Sequence, residues 1–553
     1  MKISSKVFNF WKIITLIIII GISVFLIYPI ARLLLQSIFV EESGISLDNF
    51  IKFFTNKYYF ETIINSLKLS IVATLTTILL ATPIAYFMSV YKIKGAKVVE
   101  ILIILASMSA PFIGAYSWIL LLGRNGIITN FFENNLGINI PDIYGFAGIL
   151  LVFTFQLYSL VFLYAKSSFE NLDKSLMEAS ENLGVTGFKR FRKIILPLVT
   201  PSLLAGGLLV FMRCMSDFGT PMLIGEGYRT FPVLIYNEFV GEVGQNQGFA
   251  SAIAVIAIIV TSIIFLIQKK ISEKNSYSSN FLNPVEKEKI GGAKGILIHL
   301  FIYIAVALSI LPQAYLILTS FKNTSGKIFV DGYSLKSYQI AFSRLGSSIR
   351  NTILIPLIAL IIIIILSVLI AYIVVRQKGK LAAIIDVFTM IPFILPGVVI
   401  GISLLSGFGN GFMGSNFLVM GGTMSILIVS FVIRRLPYTL RSASSTLQSL
   451  PISLEEASYS LGASKLKTFI KITLPLMMRG VIAGSILSYV TLISELSSSI
   501  ILTNLKTRTM TVSVYTEVIR GNYGVAAALA TMLTVITIIA LLVFDRIGDK
   551  KSN

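Results

Sequence analysis

Long apolar segments separated by short polar ones run through the whole chain of 553 residues. A helix needs about 20 mainly apolar residues to cross a lipid bilayer. About twelve segments reach this length, at residues 11–35, 62–90, 98–122, 145–165, 198–224, 249–268, 295–320, 350–375, 382–406, 418–436, 476–502 and 525–544. The pattern therefore predicts an all-α polytopic membrane protein with about twelve transmembrane helices.

Two of the polar segments repeat one motif. The first is Glu178-Ala179-Ser-Glu-Asn-Leu-Gly184, followed by Phe191 and Pro197, and the second is Glu456-Ala457-Ser-Tyr-Ser-Leu-Gly462, followed by Phe469 and Pro475. The matched positions differ by 278 residues (456 − 178 and 475 − 197). Glycine ends a helix readily because it adopts positive φ, and proline suits a first helical turn, where its missing N–H costs nothing. Each motif therefore predicts two short helices that flank the glycine, with the proline in the first turn of the next apolar helix.

The duplication extends along both halves of the chain. Further counterparts are Asn65-Ser66 with Asn351-Thr352, Asp217 with Glu495, and Arg229-Thr230 with Arg508-Thr509, at offsets between 276 and 288. We therefore expect two six-helix repeats fused in parallel, residues 1–268 and 295–553. The polar stretch between them, residues 269–294, lacks apolar periodicity and is predicted to be a moderately flexible cytoplasmic linker.

Composition and charge agree with a membrane protein and suggest its orientation. Only 13% of the residues are charged, against about 25% in soluble proteins, and mean hydropathy is +0.85. The net charge of +20 is spread over the loops without forming a continuous patch, which argues against a nucleic-acid partner. With a cytoplasmic N-terminus, the inner segments hold 31 of the 46 Lys and Arg residues. This bias predicts a multi-pass cell-membrane protein with both termini and both motif loops in the cytoplasm.

The repeated motif, with its glycine and its Ile-x-Leu-Pro ending, resembles the cytoplasmic coupling loop of permease subunits of binding-protein-dependent ABC importers with the type I fold. Ser180 and Ser458 stand where that family usually has alanine. The resemblance implies a pair of ATPase subunits on the cytoplasmic side and a substrate-binding protein outside the membrane.

The resemblance also implies roles for the motif residues. Glu178 and Glu456 would accept charge-assisted hydrogen bonds from the ATPase. The alternative is that each carboxylate only stabilises its own short helix by interacting with the helix dipole, a weaker effect. Gly184 and Gly462 would shape the helix pairs, and Phe191 and Phe469 would seat them. A further alternative is an amphipathic loop that rests on lipid headgroups.

Catalytic chemistry has no sequence signal. The chain lacks the Gly-x-x-x-x-Gly-Lys-Ser/Thr loop that holds nucleotide phosphates, so ATP and Mg²⁺ are expected on the partner ATPase and no cofactor on this chain. A single histidine, His299, and a single cysteine, Cys214, predict no metal site. There is also no Gly-x-Ser-x-Gly elbow, so we expect a transporter subunit that is not an enzyme.

Two carboxylates are candidates for the transport pathway. Asp217 and Glu495 follow Pro197 and Pro475 by 20 residues, which is about 30 Å of helix and predicts a position near the outer membrane boundary. Our hypothesis is that they line the pathway as an outer gate, together with the neighbouring residues Gly219, Pro221, Ser497 and Ser498. The alternative is an interfacial carboxylate, with Arg213 as an i,i+4 partner for Asp217.

Substrate identity rests on resemblance alone. Fusion of both halves in one chain, and the Asp217-Phe-Gly-Thr-Pro221 segment, look like the ferric iron permease branch of the family. Thiamine, phosphonate and polyamine importers remain alternatives. A secondary transporter also can have two six-helix repeats, but residues 91–97 lack the Gly/Asp/Arg-rich signature of its major family.

Overall fold

A computed structural model describes residues 4–40, 44–108, 111–241, 246–274, 287–326 and 328–550. The helices of the first half are α1 (Ser4–Ile22), α2 (Tyr28–Ile38), α3 (Asp48–Thr55), α4 (Lys57–Val90), α5 (Ala96–Met108), α6 (Pro111–Leu122), α7 (Ile127–Leu136), α8 (Phe146–Glu170), α9 (Lys174–Asn182), α10 (Gly187–Arg190), α11 (Leu196–Ser216), α12 (Gly219–Ile224), α13 (Phe231–Val240) and α14 (Gln247–Lys274).

The second half repeats this order. Its helices are α15 (Gly292–Ser320), α16 (Lys336–Tyr372), α17 (Lys380–Ile394), α18 (Gly397–Phe408), α19 (Met424–Ser449), α20 (Ser453–Ser460), α21 (Lys465–Thr468), α22 (Leu474–Ile493), α23 (Ser499–Leu502), α24 (Met510–Arg520) and α25 (Tyr523–Lys550). Two short antiparallel hairpins pair β1 (Phe39–Val40) with β2 (Gly44–Ile45) and β3 (Lys322–Ser325) with β4 (Ile328–Tyr333). The prediction of an all-α polytopic membrane protein is confirmed.

Within the described ranges, ten helices are long and apolar enough to cross a membrane. Three of the expected spans differ from these ten helices. The span 382–406 is divided between α17 and α18, and only the helix that begins at Gly397 is among the ten. The span 98–122 is divided between α5 and α6, with residues 109–110 outside the described part of the chain. The span 418–436 lies largely in α19, a helix that contains Arg434, Arg435 and Arg441 and is therefore less apolar than the others.

The chain forms two compact units that exchange segments between the sequence repeats. One unit contains Met1–Lys52, Ile235–Ile258 and Ser320–Asn553, and the other contains Phe53–Leu234 and Ile259–Thr319. The first long helix of each repeat therefore belongs to the unit that is built mainly from the other repeat. The division into repeats 1–268 and 295–553 stays a statement about the sequence, since the compact units are divided differently.

Each unit contains one pair of helices that pack closely at a glycine, and the two pairs occupy matched positions of the repeat. In one unit, a Cβ atom at Gly206 of α11 would lie 3.0 Å from Val161 Cα of α8. In the other unit, a Cβ atom at Gly484 of α22 would lie 2.7 Å from Thr439 Cα of α19. Both residue pairs are offset by 278 (484 − 206 and 439 − 161). Small residues let membrane helices approach closely, so the sequence repeat is also a repeat of packing.

A polar clamp also recurs in each unit. Asn65 donates its side-chain N–H to Arg229 O at 3.1 Å, and Ser66 Oγ accepts the N–H of Phe231 at 3.0 Å. In the other unit, Asn351 donates to Lys506 O at 2.9 Å and to Arg508 O at 3.1 Å.

Thr352 Oγ1 completes this second clamp by accepting the N–H of Met510 at 2.7 Å. The matched polar pairs therefore hold the turns that follow α12 and α23, and they satisfy backbone groups that a helix start leaves open.

The two ends of the expected linker, residues 269–274 and 287–294, have defined structure. Helix α14 continues to Lys274, and residues 275–286 lie outside the described part of the chain. Glu288 then exchanges backbone hydrogen bonds of 2.8 Å with Val90 and Lys92, and Lys287 Nζ lies 3.0 Å from Glu170 Oε1. Residues 269–274 therefore continue helix α14, and residues 287–288 are held to the preceding repeat by backbone and charged groups. A flexible linker between these two ends stays a prediction.

Candidate functional site

The first motif loop has the predicted pair of short helices. Asp173 caps α9 by accepting the N–H of Ser175 at 2.9 Å, as N-cap carboxylates do. Gly184 follows α9 at φ +70°, a left-handed conformation that suits glycine, and α10 begins at Gly187. The chain reverses here, and Val185 donates its N–H to Ser180 O at 2.8 Å.

The second motif loop has the same backbone path. Helix α20 ends before Gly462, which takes φ +80°, and Ser464 caps α21 by accepting the N–H of Lys467 at 3.3 Å. A π-helical turn follows the second short helix in each loop, at Phe191–Ile195 and Phe469–Thr473. The predicted break at each glycine is confirmed.

Pro197 and Pro475 each stand in the first turn of the next long α-helix, α11 (Leu196–Ser216) and α22 (Leu474–Ile493), as predicted. The π-helical turn joins each of these helices to the short helix before it, so continuous helical segments run from Gly187 to Ser216 and from Lys465 to Ile493. The π-helical turn ends two residues before each proline. Proline removes a backbone donor and crowds the preceding turn, and a π-helical turn is a common place for a helix to absorb such a defect.

The motif glutamates and the alanines after them are exposed in both loops. The Glu178 side chain is 64% exposed and lies 3.8 Å from Lys174 Nζ one turn earlier. Glu456 is exposed on α20, as are Ala179 and Ala457 on their helices. These four residues therefore form two equivalent accessible surfaces.

The serines that replace the family's usual alanine face inward. Ser180 donates to Met177 O at 2.7 Å, and Ser458 Oγ lies 2.8 Å from Thr468 Oγ1. The second contact joins α20 to α21 directly. Each serine is nearly inaccessible to solvent, so the substitution serves the internal packing of the loop.

The two phenylalanines pack against their own membrane helices. The ring centroids of Phe191 and Tyr86 lie 4.9 Å apart with an interplanar angle of 64°, and those of Phe469 and Tyr372 lie 4.9 Å apart with an angle of 67°. Such edge-to-face pairs are favourable for aromatic rings. The phenylalanines therefore seat the first loop on α4 and the second loop on α16, and they are not the outward surface of the loops.

Apolar side chains that the sequence reasoning passed over project from the loops instead. Leu183 is 80% exposed, Leu461 is 89% exposed and Phe188 is 78% exposed. Leu183 and Leu461 directly precede the two glycines at matched positions. A leucine in an otherwise polar turn could have indicated these residues from the sequence. Large apolar side chains that cluster on a surface mark interaction sites.

The carboxylates of the other candidate site have unequal surroundings. Asp217 is half-buried, and its Oδ1 accepts the N–H of Gly219 at 3.0 Å. Arg213 is not within ion-pair distance of Asp217 in the described structure, so the suggested i,i+4 pair is not formed. Gly219 and Pro221 are buried in the short helix α12.

Glu495 is 4% exposed and forms ion pairs with two arginines of α19, Arg434 and Arg435. Its Oε1 also accepts the N–H of Ser498 at 3.2 Å. Ser498 is buried, whereas Ser497 is half-buried and would touch a Cβ atom at Gly397. The carboxylate is therefore enclosed by cationic and hydroxyl groups of its own unit.

This pairing places Glu495 beside α19. Arg434 is ten residues from the start of α19 at Met424, which is about 15 Å along that helix. Glu495 therefore lies beside the middle of α19 and not at its end. Its position near the outer membrane boundary stays a prediction.

No cluster of three or more His, Cys, Asp or Glu side chains with metal-binding geometry occurs in the described ranges. Cys214 is buried. His299 Nε2 accepts the N–H of Lys94 at 3.2 Å, and its Nδ1 lies 2.7 Å from Gly295 O. The histidine therefore joins two backbone segments.

Comparison with known proteins matches two segments of the chain to one family. Residues 70–276 and 363–552 each match the binding-protein-dependent transport system inner membrane component. The chain is similar to the ferric transport system permease protein FbpB of Actinobacillus pleuropneumoniae, with 27% identity over 97% of this chain and 78% of the relative.

Two further relatives come from Haemophilus influenzae. The putative ferric transport system permease protein FbpB 1 is 28% identical over 89% of this chain and 78% of the relative. The spermidine/putrescine transport system permease protein PotB is 30% identical over 40% of this chain and 78% of the relative.

The duplicated match agrees with the repeated loops and with the repeated packing of both units. The relatives are transport permease subunits, so the expectation that this chain is not an enzyme is confirmed. The chain belongs to the family of binding-protein-dependent transport system inner membrane components and is a permease subunit of an ATP-driven ABC importer.

Proposed function

We propose that the chain forms the translocation pathway of a ferric iron importer and is driven through its two motif loops by a pair of separate ATPase subunits. The observation that carries the coupling role is the duplicated loop: each copy presents an exposed glutamate and alanine on a short helix that ends at a left-handed glycine. Two equivalent surfaces suit two copies of one partner. ATP and Mg²⁺ would be bound by that partner.

Each loop combines the features of a docking surface. Glu178 and Glu456 are exposed and can accept charge-assisted hydrogen bonds from basic side chains of a partner, which are stronger than neutral hydrogen bonds. Leu183 and Leu461 add an apolar contact beside each glycine. We assign these four residues to the ATPase interface, while Phe191 and Phe469 fix the loops to the membrane helices.

The Lys and Arg distribution supports a cytoplasmic position for both loops and both termini. Arg434 and Arg435 belong to the middle of α19 and must be removed from the inner count, which falls from 31 to 29 of 46. The bias still favours this orientation. A substrate-binding protein would then dock on the opposite side of the cell membrane.

The segments around Asp217 and Glu495 are proposed to line the pathway. Each follows the long helix that leads out of a coupling loop, so a displacement of that loop reaches them through one continuous helix. Glu495 would act there as a fixed part of an arginine cluster and not as a free carboxylate. Gly219, Pro221, Ser497 and Ser498 complete the proposed gate.

Ferric iron is supported by the relatives that are similar over most of the chain, two of which are named as ferric transport permeases. A polyamine is the second candidate, because PotB is similar to 40% of this chain. We assign the choice of substrate to the binding protein. Thiamine and phosphonate remain further candidates, and uptake of radiolabelled ferric iron into reconstituted vesicles, with putrescine, thiamine and phosphonate as competitors, separates them.

The coupling role is tested by ATP hydrolysis of the complex in lipid discs. We expect Glu178→Ala with Glu456→Ala to abolish the stimulation of a co-purifying ATPase by loaded binding protein. Glu181→Ala is the matched control, since Glu181 is 69% exposed on the same helix but outside the repeated motif positions. Uptake without any associated ATPase, driven by a proton or sodium gradient, would show that the chain is a secondary transporter.

A further inference from the structure

A buried ion pair connects the second coupling loop to the end of α16. Glu455, the residue preceding the motif glutamate, is 5% exposed. Its Oε1 lies 2.9 Å from Arg376 Nε, and its Oε2 accepts hydrogen bonds of 3.4 Å from the hydroxyls of Tyr372 and Tyr459. A charge buried next to the exposed motif is therefore fully partnered within the chain.

Arg376 connects three elements at once. It lies in the π-helical turn Ile373–Gln377 that ends α16, it binds Glu455 on α20, and it donates to Leu450 O at the end of α19 with a distance of 2.9 Å. The planar guanidinium presents several donors in a fixed geometry, which suits a junction of this kind. The orientation of α20 is thereby set by the end of α16.

The same helix end carries a second set of contacts. The Tyr372 ring stacks on Trp11 at 4.4 Å between ring centroids, and the Trp11 ring meets Phe469 edge-on at 5.0 Å. Trp11 is 4% exposed. Aromatic packing and the ion pair therefore hold the second loop at two points, one beside the π-helical turn after α21 and one on α20.

The first loop lacks the ion pair. At the offsets of the repeat, Met177 occupies the position of Glu455 (455 − 278) and Val90 the position of Arg376 (376 − 286). Among the described residues, the ion pairs of α9 are Glu178–Lys174 and Glu181–Arg190, each 3.8 Å long and with an exposed carboxylate. Both stay within the loop, and the first loop is held to the membrane helices by apolar contacts, those of Met177 with the hydrophobic core and of Phe191 with Tyr86.

A buried ion pair gains little net stability, because desolvation offsets its attraction, and its better-attested role is to fix one arrangement. We propose that Arg376 and Glu455 are positioning residues that make the second coupling loop move as one body with the end of α16, whereas the first loop can tilt about its seat. The inference rests on the coupling role of the loops. The ATPase would then drive the second half rigidly and the first half through a compliant joint.

Loop mobility tests the proposal without any partner. Matched spin-label positions are Ser460→Cys on α20 and Asn182→Cys on α9, both exposed and 278 residues apart, in a Cys214→Ser background. In the purified chain in lipid discs, we expect the Ser460 label to be less mobile than the Asn182 label. Arg376→Gln should raise its mobility to that of the first loop, whereas Lys174→Gln should leave the Asn182 label unchanged.

Equal mobility of the two labels in the unmodified loops, or an unchanged Ser460 label in a well-folded Arg376→Gln protein, would overturn the proposal. If Arg376→Gln does not fold, Tyr459→Phe removes only one hydrogen bond to Glu455 and should raise the mobility part of the way; no increase would again overturn it.

A second measurement, on the ATPase complex, distinguishes failure of the positioning role from failure of the coupling role. We expect Arg376→Gln to retain the co-purifying ATPase but to lower its stimulation by loaded binding protein, and the Glu455→Gln variant to do the same. A loss of ATPase binding in both variants would show that the pair builds the docking surface itself and would also overturn the positioning role. The mobility result does not depend on the ATPase, so it stands even where the loops bind some other partner.

Discussion

Asp217 and Glu495 occupy matched positions after α11 and α22, yet their carboxylates have different partners. Asp217 accepts a backbone N–H two residues later and has no ion pair in the described structure. Glu495 is buried between two arginines. The two repeats therefore share the same backbone path at this point, whereas the side chains that surround the carboxylate from the neighbouring helix differ.

The diverged partners can be identified by position. Gln156 of α8 stands where Arg434 stands in α19, and Leu157 stands where Arg435 stands (434 − 278 and 435 − 278). The second half thus has a cluster of one negative and two positive groups where the first half has one carboxylate. This comparison predicts different responses to the same substitution.

Removing the charge of Glu495 should have the largest effect. In Glu495→Gln, Arg434 and Arg435, which are 11% and 15% exposed, remain largely buried without a counter-charge. Breaking a buried pair in this way costs about 3–5 kcal/mol of unfolding free energy. Equilibrium unfolding in mixed detergent micelles measures the loss. Adding Arg434→Gln, which introduces the residue found at the matched position of the first half, should recover part of it.

A loss below about 1 kcal/mol for Glu495→Gln, the size expected at a solvated surface pair, would show that the arginines reach water. The cluster would then line an open aqueous path. Ala substitution at Thr511, which donates to the backbone oxygen of Glu495 at 2.9 Å, is a control for local packing without a change of charge.

Substitutions in the two polar clamps should differ in their effect on stability, but by less than the loss expected for Glu495→Gln. Asn351 is fully buried and donates to two carbonyls, whereas Asn65 is half-buried and donates to one. A neutral hydrogen bond contributes about 0.5–1.5 kcal/mol net, and a buried group left unpaired costs about 1–3 kcal/mol. We expect Asn351→Ala to lower the thermal unfolding midpoint clearly more than Asn65→Ala.

Equal shifts in the two variants would indicate that the turns after α12 and α23 are held chiefly by the hydroxyl contacts of Ser66 and Thr352. Ser66→Ala and Thr352→Val then become the decisive pair, because each removes the acceptor for the helix start.

The sequence predicted the helices, the repeat and the glycine breaks because these are local signals. An apolar run of sufficient length, a motif repeated at a fixed offset and a glycine that needs positive φ can be recognised without knowing what packs on them. The same holds for the exposure of Glu178 and Glu456, which follows from a polar segment between two apolar ones.

The partners of Glu495 and Glu455 could not be predicted in this way. Arg434 is 61 residues from Glu495 and Arg376 is 79 residues from Glu455, and nothing in the spacing shows that they meet. A polar linker likewise gives no sign of the backbone bonds between Glu288 and Val90. The π-helical turns at Phe191–Ile195 and Phe469–Thr473, which join each short helix to α11 or α22, also have no clear signal in the sequence.

The smallest effect is expected at Asp217. In Asp217→Asn the side-chain oxygen can still accept the N–H of Gly219, because asparagine forms the same turn as aspartate. The unfolding free energy should change by less than about 1 kcal/mol, since no ion pair is broken. Asp217→Ala removes the acceptor and is the control that measures how much the turn itself contributes to stability.

If Asp217→Asn lowers the unfolding free energy as much as Glu495→Gln does, the aspartate has a charged partner and the contrast between the two halves fails. If the variant is stable but transport by the reconstituted complex is lost, the charge of Asp217 acts on the substrate pathway, where Glu495, neutralised by its arginines, cannot replace it.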